Sequence, residues 1–254
     1  MSPTSSRPQP PTSLGLIGVG AFGAFALPHL AAHFDVTIHD VSDIAALAKQ
    51  HGVKACDLAE VAACDIVVFA VPVQRLESVL QAAAPYLKKN ALVIDVASVK
   101  LKPTEMMQRL LPATVDIVGT HPLFGPQSGK NGIAGLNIAV CDVRGGRGPC
   151  VASFLRDQLK LSVFETTAEA HDKQLAYVQG LTHLLAKVIV SMDLPEYQLT
   201  TKTYDLLMQM VGMVRYDSDE LFKAIERENP FTTEAKRDFF AAARQLEEAL
   251  DKKA

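Results

Sequence analysis

Leu14-Gly15-Leu16-Ile17-Gly18-Val19-Gly20-Ala21-Phe22-Gly23 is the stretch whose reading decides the fold. A short apolar strand runs into glycines spaced Gly-x-Gly-x-x-Gly, and a helical segment follows to about His33. Strand, glycine turn and helix in that order form the fingerprint of a dinucleotide-binding βαβ unit. Gly18 permits the tight turn, Gly20 lets a pyrophosphate approach the backbone, and Gly23 lets the helix pack close to the strand. Ala21 and Phe22 complete the turn, and the helix N-terminus faces the phosphates. Pro28 falls inside that helix and removes one of its hydrogen bonds.

The next strand, Val36-Thr37-Ile38-His39-Asp40, ends in an acid about 20 residues past the glycines, as the fingerprint requires. A carboxylate there accepts the ribose hydroxyls of NAD and repels the 2′-phosphate of NADP. Val41-Ser42-Asp43 offers no Arg to hold that phosphate, so NAD is favoured over NADP. The competing role for Asp40 is a helix N-cap. Ile66-Val67-Val68-Phe69-Ala70-Val71-Pro72 reads as a buried strand, with Val71 and Pro72 bordering the cofactor. Leu92-Val93-Ile94-Asp95 is another strand. Helices expected near 44–50, 74–84 and 102–111 alternate with these strands, which implies a doubly wound parallel sheet of the Rossmann-like α/β class.

Ligands bind such sheets at the C-terminal ends of the strands. Ser98, in Val96-Ala97-Ser98-Val99-Lys100, falls on that rim; its hydroxyl can bond a ligand or His121, or cap the next helix. Lys100 is expected to be solvated. His121 follows the apolar Ile117-Val118-Gly119 and heads the loop Thr120-His121-Pro122-Leu123-Phe124-Gly125-Pro126. Two prolines stiffen that loop. It reads either as a rigid arm holding an imidazole over a cleft or as a structural turn whose His binds only backbone. Leu136 to Val140 is a further strand, Gly145 to Pro149 a flexible turn, and Ser162 to Glu165 a last strand.

From Ala168 the pattern becomes helical. Glu169 to about Ser191 reads as one long helix, on which Asp172, Gln179 and His183 share a stripe. A polar stripe on an apolar helix is costly to bury, so it is expected to face a wet cleft. Further helices are expected at 199–213, 218–228 and 233–252, with apolar faces suited to a second copy of the chain. The resulting division is a disordered tail over 1–13, a dinucleotide-binding domain over 14–166 and an all-α dimerisation and substrate domain over 167–254.

Among the 254 residues 48% are hydrophobic and 21% charged, enough for a large core. A net charge of −3 without a long Lys/Arg run argues against a nucleic-acid partner, and no apolar run reaches membrane-spanning length. Cys56, Cys64, Cys141 and Cys150 lack CxxC spacing and are expected to be reduced thiols, which points to the cytoplasm. No HExxH occurs, so a metal site is set aside.

Taken together, the residues resemble the prephenate/arogenate dehydrogenases of tyrosine biosynthesis. The resemblance runs from Leu14 to the last helix. It rests on Asp95-Val96-Ala97-Ser98-Val99-Lys100, on Thr120 through Gly129, on Glu169-Ala170-His171-Asp172 and on Gln179-Gly180-Leu181-Thr182-His183. It implies that His121 is the catalytic base and Ser98 its partner, that Gln179 and His183 line the substrate pocket, and that Asn131 influences substrate choice. It also implies a monofunctional enzyme that is a homodimer through its C-terminal helices. Several prephenate-using members carry an Arg directly after Met-Val-Gly, where this chain has Met213. Arg215, two positions on, is turned about 200° around a helix. The cation for the ring carboxylate is therefore open among Arg215, Lys100, Lys130 and an Arg from a partner subunit.

The expected reaction is NAD-dependent oxidative decarboxylation of prephenate, with arogenate, or both, as the alternative. A β-hydroxyacid dehydrogenase would need an Asn where Ser191 stands, one turn past Lys187. A non-catalytic NAD sensor would not need a base opposite the hydride position.

Overall fold

The computed structural model describes residues 12–215 and 217–252. The tail expected over 1–13 lies outside them up to residue 11, and Ser13 is already the first residue of a strand. Eight strands form one sheet: β1 Ser13–Ile17, β2 Asp35–His39, β3 Lys54–Ala55, β4 Ile66–Phe69, β5 Leu92–Asp95, β6 Asp116–Pro122, β7 Asn137–Arg144 and β8 Ser162–Glu165. The first helices are α1 Ala21–Ala31, α2 Ala45–His51, α3 Leu58–Ala62, α4 Val73–Ala83, α5 Leu101–Leu110 and α6 Gly148–Asp157. Five more follow the last strand: α7 Ala168–Leu175, α8 Leu181–Ser191, α9 Lys202–Val214, α10 Asp219–Lys223 and α11 Thr232–Asp251.

Strand order is β3-β2-β1-β4-β5-β6-β7-β8. The chain reverses its direction of travel between β1 and β4, so their C-terminal ends border a switch-point crevice. Both faces of the sheet are covered, which is why its central strands are continuously apolar rather than alternating. Ile17, Val67, Phe69, Val93 and Ile117 pack with Leu76, Leu80 and Met107 on one face. Leu14, Leu16, Val36 and Val68 pack with Leu27 on the other, and Val118, Ile138 and Val140 continue that face against Val151 and Leu155.

The structure corrects the sequence reading at several points. β6 does not stop at Gly119 but extends to Pro122, so His121 lies within a strand and not on a free arm. β7 pairs with β6 antiparallel, with His121 opposite Ala139, so the sheet is parallel only through β6 and again between β7 and β8. The glycine-rich turn runs directly into α6, which starts at Gly148 with Pro149 in its first turn, where a missing N–H costs nothing. The long helix from Glu169 is interrupted by a π turn, Ala176–Gly180, and a second π turn, Ala224–Glu228, follows α10. No helix among the described residues is long and apolar enough to cross a membrane.

Candidate active site

The glycine turn is shaped as a cradle. Gly18 has φ +93°, and a Cβ there would meet the Ala70 carbonyl oxygen at 2.6 Å. A Cβ on Gly23 would lie 2.1 Å from the Gly18 oxygen, so α1 could not approach the turn. At Gly20 a Cβ would meet nothing within 4 Å: the backbone faces open space, as approach of a pyrophosphate requires. Asp40 closes the turn from the side, accepting the Val19 N–H at 2.7 Å and the Ser42 N–H at 2.9 Å. Partial burial pushes its carboxyl up, but these hydrogen bonds prevail and hold it below the usual carboxylate range. Val71 flanks Gly18, and Val41, beside Asp40, is 99% exposed. These residues fit a bound dinucleotide.

On the same sheet rim, β6 delivers His121, 4% exposed, on the face occupied by α5. Its Nδ1 lies 2.9 Å from Nε2 of His171, itself buried on α7. His171 Nδ1 lies 2.7 Å from Oδ1 of Asp172. Asp172 is fully buried; its oxygens accept the backbone N–H of Lys100 at 2.8 Å and of Leu101 at 3.0 Å, which caps the first turn of α5. Asn229 donates to the Asp172 carbonyl at 2.7 Å, tying the C-terminal helices to the same point.

Lys100, expected to be solvated and a possible carboxylate ligand, is 0% exposed. Its ammonium donates to Asp95 and, at 2.6 Å, to the carbonyl of Thr120. It is thereby unavailable to a substrate. The Thr120 hydroxyl donates back to the Asp95 carbonyl at 2.7 Å, so the residue before His121 is held from two sides. A Cβ at 119 would stand 3.1 Å from Thr104 and 3.3 Å from Asp95 Oδ1, so these side chains would have to give by a few tenths of an ångström to admit it. Burial raises the Asp95 carboxyl despite the ammonium beside it. Burial above all, with the Lys100 ammonium nearby, holds His121 well below the usual histidine range, which favours the neutral ring.

Other expected site residues fall differently. Asp172 does not share a wet stripe with Gln179 and His183: the π turn, which contains the half-buried Gln179, separates Asp172 from His183, and Asp172 is locked inside. His183 is also buried, and both ring nitrogens are engaged, with the Gln179 carbonyl at 2.9 Å and Asp217 at 3.1 Å. It fastens α8 to the segment after α9 and offers no free nitrogen to a ligand. Ser98 is buried on the rim, and no hydrogen bond of its hydroxyl occurs among the described residues, since His121 Nδ1 is taken by His171. Lys130 and Asn131 are exposed on the 123–136 connection, and Arg215 is exposed at the end of α9, two residues before Asp217. A cavity of about 250 Å³ lies on the α1/α6 face and is lined by Phe22, Phe25, Phe124, Thr120 and Ile138. His121 is on the opposite face of β6, so that cavity is not where the titratable groups converge.

Sequence reasoning missed the roles of Asp95, His171, Asp217 and Asn229. The adjacent His171-Asp172 pair was visible as a motif, but nothing local indicated that it would meet His121.

Residues 26–136 match the family described as "Prephenate dehydrogenase, nucleotide-binding domain". The chain is 32% identical to the chloroplastic arogenate dehydrogenase 2 of Arabidopsis thaliana, over 85% of this chain and 64% of that protein. It is 26% identical to a probable arogenate/prephenate dehydrogenase of Methanocaldococcus jannaschii, over 94% of this chain and 56% of that one. The chain thus spans less than two thirds of the length of either relative. In structure it resembles the prephenate dehydrogenase of A. aeolicus solved with hydroxyphenyl propionate and NAD+. That match has a TM-score of 0.76 at 17% identity, over 94% of this chain and 90% of that chain. A Synechocystis arogenate dehydrogenase gives a TM-score of 0.69 at 19% identity, over 94% and 91% of the two chains. These two likenesses bear on the fold.

Replacing Lys100 by Met is expected to destabilise the protein by ~3–5 kcal/mol, because the Asp95 carboxylate is left buried without its counter-ion. Urea denaturation measures this, and adding Asp95→Asn to the same chain should restore much of the loss. A single variant as stable as its parent would remove the pair from this role.

Proposed function

This chain belongs to the prephenate/arogenate dehydrogenase family, and on that premise we propose that it carries out NAD-dependent oxidative decarboxylation of a hydroxycyclohexadiene carboxylate, prephenate or arogenate. The observation that carries the reading is a buried His121 at the C-terminal end of β6, on the same sheet rim as the glycine turn that follows β1. Gly18, Gly20, Ala21, Phe22, Gly23, Asp40, Val71 and Pro72 would hold the dinucleotide. Asp40 supports NAD because a carboxylate at this strand end would accept the ribose hydroxyls and repel a 2′-phosphate. When bound, the nicotinamide supplies the hydride acceptor.

His121 takes the proton of the ring hydroxyl through Nε2, the nitrogen that His171 leaves free. With that proton gone, the hydroxyl-bearing carbon can release hydride; the bond to the carboxylate breaks and its electrons complete an aromatic ring. Aromatisation drives the sequence, so the chain's residues must position the substrate and accept one proton. Ser98, with its hydroxyl free on the rim, orients the substrate oxygen beside His121. Arg215 is the proposed partner of a substrate carboxylate. Gln179 and Lys130 are assigned to the same pocket, and His183 acts by holding Asp217.

Asn131 favours prephenate, whose side chain carries a keto group, because a neutral amide offers no charge to an ammonium. Arogenate is the second reading, supported by the similarity to the Arabidopsis arogenate dehydrogenase. α8, α9 and α11 leave Val188, Met192, Leu206, Met213, Phe240 and Leu246 exposed, which supports a homodimer through these helices. Four unpaired cysteines support a reducing compartment such as the cytoplasm.

In an assay of nicotinamide reduction with both substrates crossed against NAD and NADP, His121→Asn is expected to lower kcat roughly 10²–10⁴-fold with little change in KM. In the wild type, kcat/KM should stay level as pH falls through 6.5 and decline only below it, because the lowered folded pKa keeps the base neutral. An unimpaired variant, or no cofactor reduction with either substrate, overturns the reading. Asn131→Asp should raise kcat/KM for arogenate relative to prephenate by up to about fivefold, since an exposed ion pair is worth ~1 kcal/mol or less. An unchanged ratio takes position 131 out of substrate choice. Light scattering at micromolar concentration should give twice the 27.4 kDa chain mass; a monomer there ends the dimer assignment.

A further inference from the structure

The geometry points to His171 as the positioning residue that fixes the tautomer of His121, with Asp172 as its anchor. The argument is a chain of donors and acceptors. An ionised carboxylate only accepts. Asp172 already accepts the N–H of Lys100 and of Leu101, so at its contact with His171 the proton belongs on His171 Nδ1. In the proposed arrangement that is the only proton His171 carries, and its Nε2 is an acceptor. Its partner at 2.9 Å, Nδ1 of His121, must donate. The proton of His121 is thereby placed on Nδ1, and the lone pair on Nε2, the nitrogen a general base needs.

An isolated imidazole prefers the other tautomer, with the proton on Nε2 and no base available in that direction. The two histidines and Asp172 are each under 5% exposed, so water does not compete for these contacts. When the substrate hydroxyl proton arrives on Nε2, His121 becomes an imidazolium whose Nδ1–H still points along the same chain to a carboxylate. No second proton need move: the O–H bond breaks, the Nε2–H bond forms, and Asp172 supplies negative charge two contacts away. The other charged or titratable groups around the ring are Lys100 and Asp95 from the β5–α5 junction, Cys141 on β7 and His183 on α8.

The kinetic part of this inference rests on the proposed dehydrogenase reading; the tautomer itself does not. The test combines ring-nitrogen NMR of the ¹⁵N-labelled full chain with kinetics. His121 is assigned by loss of its signals in His121→Asn. The wild type is expected to show Nδ1 protonated and Nε2 bare. His171→Phe, which cannot accept, should return the proton to Nε2 and lower kcat roughly 10²-fold with KM changed less than about threefold. His171→Gln, whose amide oxygen can accept the Nδ1–H, should recover about tenfold of that loss. A wild-type His121 protonated on Nε2 overturns the inference without any variant having to fold. Equal losses in the Phe and Gln variants overturn it as well. If the wild type turns over neither substrate, the dehydrogenase reading fails, while the nitrogen signals still decide the tautomer.

Discussion

The carboxylate of Asp172 is the point through which the two halves of the chain act on one another. It stands in α7, the first helix after the sheet, yet its oxygens take the first backbone N–H groups of α5, a helix built on the sheet. Those groups have no partner within their own helix and carry the positive end of its dipole. A remote acid therefore supplies what a local Ser or Asp would ordinarily supply. Because Lys100 and Leu101 open α5, the same bonds fix where that helix begins. They also fix where the Lys100 side chain departs towards Asp95 and Thr120. Asn229, reaching the Asp172 carbonyl from the turn before α11, extends the connection to the end of the helical segment.

The buried Lys100–Asp95 pair is not an efficient way to stabilise a fold, since desolvation of two charges offsets most of their attraction. Its geometry accounts for it better. The ammonium joins the end of β5 to the carbonyl of Thr120, and the Thr120 hydroxyl returns to β5. The residue before His121 is thus restrained along and across the sheet. A small rotation there would carry the imidazole out of line with any ligand on the rim. Gly119 leaves the volume that the pair occupies.

Much of this was legible in the sequence, for identifiable reasons. The glycine turn, Asp40 and the apolar strands are local signals, and each fell where the spacing required. His121 was visible as a strand-end histidine. Its setting was not, because parallel or antiparallel pairing of β7 depends on where a long connection returns, which periodicity does not encode. α6 was hidden by glycines that look like a turn and by a proline that is tolerated at a helix start. The stripe of Asp172, Gln179 and His183 assumed 100° per residue throughout, and the π turn at Ala176–Gly180 shifts that phase. Lys100 misled because burial of a lysine depends on finding an acid and a carbonyl in three dimensions, and Asp95 and Thr120 come from the ends of two neighbouring strands, β5 and β6.

Asp40 holds the Val19 amide on one side and its own following turn on the other. The loop that would receive a pyrophosphate is therefore already set when the chain folds. Its loss of conformational freedom belongs to folding and is not charged again to a ligand that docks there. Such a cradle needs no induced closure to recognise a dinucleotide, and discrimination between ligands falls to the groups at its edge.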